Sequence, residues 1–199
     1  MSSCSLNATS VHGFTVKDIS DNDVQLSKYA GDVLLIVNVA TFCGYTQQYN
    51  DYNKFVNDHV ALDGANGSKL KILAFPCNQF GLDEPARNNE ILNGLKYVRP
   101  GGGWEPDENI SFFSKIKVNG ADAHPLYKAL KASCPEISPD FYPKHRLYWQ
   151  ELNIRDVRWN FEKFLIDKTG RPKYRFHAAE WSDGGANISP YVKKLLTES

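Results

Sequence analysis

One of the four cysteines stands where a long apolar run ends. Residues 34–39 are mostly branched and apolar. Cys43 comes four positions after this run and stands directly before Gly44. Such a run predicts a buried strand, and the polar stretch from about Thr46 predicts a helix, so the thiol falls on a strand-to-helix turn. Unpaired N–H groups at a helix N-terminus stabilise a thiolate and lower its pKa. The position therefore predicts a nucleophile, with a small buried hydrophobe as the alternative.

Two further segments carry neutral hydrogen-bond donors. Asn78 and Gln79 follow a second apolar run, and Trp159 and Asn160 precede a third. A thiol that reduces a peroxide needs its thiolate stabilised without a locked ion pair, and the departing oxygen needs donors or a proton source. Side-chain amides and an indole N–H suit both needs. Each residue also has a structural interpretation: Trp159 in the core, Asn160 in a cap or turn, and Gln79 in a surface loop.

The rest of the sequence predicts the elements that must position these residues. The predicted strands are an opening hairpin at 14–17 and around Val24, two buried strands at 33–39 and 70–75, and an antiparallel pair at 161–166 and 173–176. The predicted helices span about 46–60, 88–98, 125–133 and 189–196, with a turn-rich connection at 63–68.

This order of elements predicts an α/β fold of the thioredoxin-like class. It has a central mixed sheet flanked by helices and an N-terminal β-hairpin. Because the carboxyl ends of parallel strands meet at one edge of a sheet, we expect Cys43 and Gln79 to lie on neighbouring turns. The length of 199 residues, without repeats or low-complexity tracts, predicts a single domain spanning residues 1–199.

The charge composition argues against some classes of binding partner. The chain has 23 basic and 23 acidic residues and no long basic block, which argues against nucleic acid or an anionic membrane surface. No apolar stretch approaches the roughly 20 residues that span a bilayer, and the start lacks the basic and apolar regions of a signal peptide. With no CxxC pair and five scattered histidines, no metal site is predicted. We expect a small-molecule or protein thiol as partner.

Three long segments together resemble the glutathione peroxidase family. They are VNVATFCGYT at 37–46, FPCNQFG at 75–81 with Glu84-Pro85, and WNFEKFL at 159–165. The resemblance implies the thioredoxin-like fold and a catalytic tetrad of Cys43, Gln79, Trp159 and Asn160. Cys43 occupies the position that is selenocysteine in many animal members.

The reaction that the resemblance implies is a redox ping-pong at one sulfur. The Cys43 thiolate attacks hydrogen peroxide or an organic or lipid hydroperoxide, which releases water or an alcohol and leaves a sulfenic acid. One thiol condenses with it, and a second thiol restores Cys43. Glutathione then serves as the reducing co-substrate, and no bound cofactor is implied.

The sequence bears on which thiol reduces Cys43, glutathione or thioredoxin. Members that use thioredoxin usually carry a resolving cysteine where this chain has none, at 89–98, which favours glutathione. Arg99, Arg175 and Gln48 are the candidates for thiol binding. Cytosolic animal members have arginine at the Gln48 position and an arginine pair at 178–179, where this chain has two alanines. A thioredoxin-dependent peroxidase, and a non-enzymatic peroxide sensor or thiol cross-linking protein, remain the alternatives.

These departures resemble the secreted plasma, epididymal and nematode cuticular branches. Cys4 and Cys134 match positions that are paired there, which implies a disulfide, with two free cysteines as the alternative. Sequons suited to a secreted glycoprotein occur four times, at Asn7, Asn66, Asn109 and Asn187. An extracellular location is the hypothesis, and a cytoplasmic one is the alternative. The loop at 100–103 resembles that of tetrameric members and suggests a homotetramer.

Overall fold

The computed structural model describes residues 1–60, 67 and 69–198. The strands are β1 (Ser2–Ser3), β2 (Thr15–Lys17), β3 (Asp23–Gln25), β4 (Val33–Val39), β5 (Leu70–Pro76), β6 (Ile110–Phe112), β7 (Lys163–Ile166) and β8 (Pro172–Phe176). The α-helices are α1 (Tyr49–Val60), α2 (Asn88–Tyr97), α3 (Pro125–Ser133) and α4 (Ser189–Thr197). Short 3-10 helices lie at Val11–Gly13, Leu26–Tyr29, Gly44–Gln48, Lys144–Arg146 and Asp183–Gly185.

Six strands form one mixed sheet in the order β1-β8-β7-β4-β5-β6, and β2 and β3 form a separate hairpin. The pairs β4–β5 and β5–β6 are parallel, whereas β4–β7, β7–β8 and β1–β8 are antiparallel. The predicted mixed sheet and N-terminal hairpin are therefore present.

The two central strands explain the apolar runs in the sequence. All seven residues of β4 are buried, and β5 is buried at all but one position. Strands covered on both faces need apolar side chains at every position rather than at alternate ones. Val39 pairs with Pro76, and the Cys77 amide donates to the Val39 carbonyl at 3.0 Å. The turns after β4 and β5 thus start side by side, as expected.

Some boundaries differ from the predicted ones. The helix expected from Thr46 starts as the 3-10 helix Gly44–Gln48 and becomes α-helical at Tyr49. The strand expected from Phe161 begins at Lys163, because Phe161 has a left-handed φ of 68° that interrupts an extended chain. Strands β1 and β6 have two and three residues, too few for a recognisable pattern. Apart from residue 67, the predicted turn at 63–68 lies outside the described residues.

A disulfide joins Cys4 to Cys134, with an S–S distance of 2.04 Å. It ties the end of the edge strand β1 to the end of α3, and the pairing that the resemblance implied is formed. Cys43 and Cys77 are free. Within the described ranges, no helix has both the length and the apolar character needed to cross a membrane.

Candidate active site

The turn after β4 holds Cys43 through a short chain of hydrogen bonds. The Cys43 amide donates to the Thr46 hydroxyl at 3.2 Å, and that hydroxyl donates to the Ala40 carbonyl at 2.8 Å. The Tyr45 amide donates to the Cys43 sulfur at 3.4 Å. Cys43 is thus the N-cap of the 3-10 helix, and its sulfur accepts a hydrogen bond from the first turn.

A buried carboxylate fastens this turn to the one after β5. Glu84 Oε2 accepts from both the amide and the hydroxyl of Thr41, each at 2.9 Å. The Glu84 amide in turn donates to Asn78 Oδ1 at 2.9 Å. Burial raises the pKa of Glu84, and the two donors of Thr41 oppose that rise. Glu84 therefore positions the loop that carries Cys43.

The segment before β7 is held against β4 by Asn38. The Asn38 side-chain nitrogen Nδ2 donates to the Trp159 carbonyl at 3.0 Å, and the Phe161 backbone amide donates to the Asn38 backbone carbonyl at 2.5 Å. These contacts place the Trp159 and Asn160 side chains near Cys43, where both lower the pKa of its thiol. Two of the three predicted donors therefore lie at the thiol.

Two side chains that the sequence reasoning missed contact the Trp159 ring. Tyr142 stacks on it with centroids 4.1 Å apart and planes at 24°, and the Arg146 guanidinium lies 4.8 Å from the ring centroid. Stacking and cation–π contact both restrict the orientation of the indole. Tyr142 and Arg146 lie outside the three resembling segments, so no local signal pointed to them.

Asp83 is a third residue that the sequence reasoning missed. Its carboxylate Oδ2 accepts from the Asn160 side-chain amide at 3.0 Å, and its carbonyl accepts from the Phe42 amide at 2.9 Å. Asp83 is thus fastened both to the residue before Cys43 and to a donor of the Cys43 sulfur. It precedes Glu84-Pro85 in one of the resembling segments, and its charge was the signal that could have found it.

Gln79 is buried, and its amide faces another turn. Gln79 Oε1 accepts from the Val118 amide at 2.7 Å and the Asn119 amide at 3.0 Å, and Nε2 donates to the Asn119 carbonyl at 3.0 Å. The Cys77 thiol also donates to Oε1 at 3.6 Å. These bonds direct the Gln79 side chain to the 118–119 turn, while Trp159 and Asn160 face Cys43.

The expectation of a lowered thiol pKa is wrong in this structure. Cys43 is 2% exposed, and burial raises its pKa because the charged thiolate loses solvent. The Tyr45 amide opposes this rise, as do Asn160 and Trp159, whereas the negative charge of Asp83 adds to it. The turn does supply donors to the sulfur, but desolvation exceeds their effect.

Of the three candidates for thiol binding, Arg99 lies at the site. Its Nη2 donates to the Cys43 carbonyl at 3.0 Å. Arg175 is fully buried, with Nε bound to Glu162 Oε1 at 2.5 Å, so the prediction that it binds substrate is corrected. Gln48 is 7% exposed, and its side-chain amide donates to the Ala178 carbonyl. The prediction that Gln48 binds the reducing thiol is therefore corrected as well.

The sequons differ in access. Asn7 is exposed, whereas Asn109 is 3% exposed and bonds Lys71 and Asp107 through its side chain. The folded protein therefore does not offer Asn109 for glycosylation. Asn187 is half-buried and accepts from the Ser182 amide, and Asn66 lies outside the described residues.

Sequence and structure comparisons agree with this geometry. The profile of the family described as glutathione peroxidase matches residues 11–131. A glutathione peroxidase of Dirofilaria immitis is 50% identical over 98% of this chain and 85% of the relative. A cuticular glutathione peroxidase of Brugia malayi is 49% identical over 98% of this chain and 84% of the relative.

The crystal structure of Trgpx in apo form is similar throughout. Its TM-score is 0.64 at 30% sequence identity, and the match covers 96% of this chain and 98% of that one. These matches confirm the predicted thioredoxin-like fold and the prediction that the enzyme is a glutathione peroxidase. The chain belongs to the glutathione peroxidase family.

Proposed function

We propose that Cys43 is the residue through which this thiol peroxidase reduces hydrogen peroxide and organic hydroperoxides. The observation that carries the proposal is the setting of the Cys43 sulfur: the Tyr45 amide donates to it at 3.4 Å, and the Asn160 and Trp159 side chains lower the pKa of the thiol. Such donors stabilise negative charge on the sulfur and then on the departing oxygen. Electrons leave the sulfur, a new S–O bond forms as the O–O bond breaks, and Cys43 becomes a sulfenic acid.

An external thiol, glutathione in our proposal, returns the sulfenic acid to the thiol in two steps. Helix α2, Asn88–Tyr97, contains no cysteine in the sequence. The other free thiol, Cys77, is fully buried, and Cys4 and Cys134 are already joined to each other. These observations favour a reductant from outside the chain. A thioredoxin-type reductant is the second candidate.

Arg99 is the proposed contact for a carboxylate of the reducing thiol. It lies at the carbonyl of Cys43 and is half-buried. Its Nε is buried and has no hydrogen-bond partner among the described residues. A half-buried guanidinium at the carbonyl of Cys43 suits a small anionic thiol.

The test is a coupled assay of peroxide consumption with glutathione and, separately, with thioredoxin. Cys43→Ser should lower the rate by about 10³-fold or more, because the nucleophile is removed. Cys77→Ser, the matched control, should retain activity. An enzyme turns over many equivalents of peroxide, whereas a sensor stops near one. Activity that survives in Cys43→Ser contradicts the proposal.

Secretion and assembly are proposed on separate grounds. The Cys4–Cys134 disulfide and the 49% identical cuticular relative support an extracellular location. Tyr97 is 70% exposed and Val98 is 64% exposed, beside the glycine loop at 101–103, which supports a homotetramer through residues 100–103. Fractionation of the source tissue tests the location, and sedimentation of the purified chain tests the assembly.

A further inference from the structure

The carboxylate of Asp83 lies beside the reacting thiol. The Asp83 carboxylate accepts from the Asn160 side-chain amide at 3.0 Å, and Asn160 and Asp83 both act on the pKa of the Cys43 thiol, which Asn160 lowers and the negative charge of Asp83 raises. The backbone also fixes this proximity, because the Phe42 amide donates to the Asp83 carbonyl at 2.9 Å. These two bonds place the carboxylate in the immediate neighbourhood of the reacting thiol.

The charged groups around the pair are few and come from separate elements. Arg146 approaches Asp83 from the 3-10 helix Lys144–Arg146, and Arg99 approaches it from the end of α2. A Cβ placed on Gly81 would lie 2.8 Å from Asp83 Oδ1 and 2.9 Å from Arg146 Nη2, so both charged groups border that glycine. Tyr45 and Tyr49 are the neighbouring phenols of Cys43.

Burial creates a chemical difficulty that Asp83 can relieve. It raises the pKa of Cys43, so the resting state at neutral pH is a thiol, while a thiolate is the effective nucleophile. Burial also raises the pKa of Asp83, which makes this carboxylate a better proton acceptor than an exposed one. A neighbouring carboxylate and thiol influence each other's protonation, so Asp83 and Cys43 titrate as a pair.

We propose that Asp83 accepts the Cys43 proton during the attack on peroxide and delivers it to the departing oxygen. This inference rests on the proposed role of Cys43. The Sγ–H proton moves to Asp83 as the sulfur bonds to the terminal peroxide oxygen and the O–O bond breaks. The proton then passes from Asp83 to the hydroxide or alkoxide, which leaves as water or alcohol. The sulfur is oxidised, the peroxide is reduced, and the carboxylate ends ionised as it began.

An opposite role for Asp83 is purely electrostatic. A negative charge beside a thiol disfavours the thiolate, so its removal would increase the thiolate fraction and speed the reaction. Proton transfer predicts the reverse, because Asp83→Asn removes the acceptor. The two roles therefore differ in the sign of the effect.

The experiment follows a single oxidation of Cys43 by hydrogen peroxide, without reductant, from pH 5 to 10. Sulfenic acid is trapped with a dimedone-type reagent and measured by mass spectrometry. Asp83→Asn should be slower by about 10²-fold at pH 7, since general base catalysis contributes about 10² to 10⁴. Its rate should rise with pH as the thiol alone ionises. Asp83→Glu should recover part of the rate, and Asp140→Asn, at an exposed aspartate, should match the wild type.

A rate for Asp83→Asn that equals or exceeds that of the wild type at pH 7 overturns the inference. Because Asp83→Asn could fold poorly, the wild type is also measured in H₂O and D₂O, and equal rates there overturn it as well. Cys43→Ser in the same assay separates the two proposals. Peroxide-dependent trapping in Cys43→Ser would remove the proposed function, whereas normal oxidation in Asp83→Asn would remove only the role of Asp83.

Discussion

Cys43 and Cys77 are free thiols that follow neighbouring parallel strands, yet their surroundings differ. Both residues are almost fully buried, at 2% and 0% exposure, and burial raises the pKa of each, that of Cys77 to about 12. Position in the fold and burial therefore do not separate them.

The difference lies in what the neighbouring side chains do. Asn160 and Trp159 act at the Cys43 sulfur as donors, which favour the thiolate. The side-chain partner of Cys77 is the Gln79 carbonyl oxygen, an acceptor, which favours the protonated thiol. Cys43 also has the Asp83 carboxylate as a neighbour, to which the Asn160 side-chain amide donates at 3.0 Å. Backbone amides of Gln79 and Val118 lower the pKa of Cys77 as well, so the contrast between the two thiols lies in their side-chain neighbours.

The largest expected contrast is in alkylation by iodoacetamide. Cys43 should react in the folded protein, with a rate that rises with pH because the thiolate fraction rises toward its raised pKa. Cys77 should react at least about a hundredfold more slowly and should become reactive on unfolding. Peptide mass spectrometry measures both sites in one sample. Equal labelling of the two thiols would show that they do not differ in reactivity.

Removal of a donor should give the next largest effect. Asn160→Ala should lower the rate of Cys43 oxidation by about 10- to 100-fold, because a hydrogen bond to a charged group contributes about 1.5–3 kcal/mol. Single-turnover trapping of the sulfenic acid provides the measurement, with Asn57→Ala as a control at an exposed asparagine. An unchanged rate in Asn160→Ala would mean that the donors at Cys43 serve the fold alone.

The smallest expected effect concerns desolvation, the cause common to both thiols. Lys163 is fully buried, and burial lowers its pKa to about 7, the opposite direction from the thiols because its charged form is the protonated one. Between pH 7 and 10.5 the unfolded chain binds more protons than the folded one at this group, so stability rises with pH in that window.

Between pH 7 and 9 the free energy of unfolding of the wild type should therefore increase by about 2 kcal/mol more than that of Lys163→Met. Urea unfolding at several pH values gives the two curves, and Lys54→Met, at an exposed lysine, is the control. Parallel curves for the wild type and Lys163→Met would contradict the lowering of the Lys163 pKa by burial.

The central architecture could be predicted from the sequence because it depends on local patterns. The apolar runs of β4 and β5 and the Pro125–Ser133 helix appear in the structure with nearly the predicted bounds. The resemblance pointed to Trp159 and Asn160, and both lie at Cys43. The direction of the thiol pKa could not be predicted in the same way, because it depends on how completely the turn is covered.

Long-range contacts account for the remaining differences. Arg175 looks like a surface cation in the sequence, yet Glu162 and the carbonyls of Arg155 and Asp156 provide enough acceptors to bury its guanidinium. Asp83 lies 77 residues from Asn160, and no spacing rule joins them. Side-chain contacts between residues so far apart in the sequence depend on the folded structure, so local patterns do not predict them.

The disulfide at the edge of the sheet has a consequence for the unfolded chain. Cys4 and Cys134 are separated by 130 positions, so their bond closes a loop that contains both strand ends and both free thiols. In the chain-entropy description, closing a loop of this size removes conformational freedom from the unfolded ensemble worth about 5 kcal/mol. Trp159 and Asn160 lie beyond that loop, so the two halves of the site differ in covalent constraint. When the protein unfolds, the segment that carries both free thiols stays constrained by the disulfide, whereas the segment that carries Trp159 and Asn160 does not.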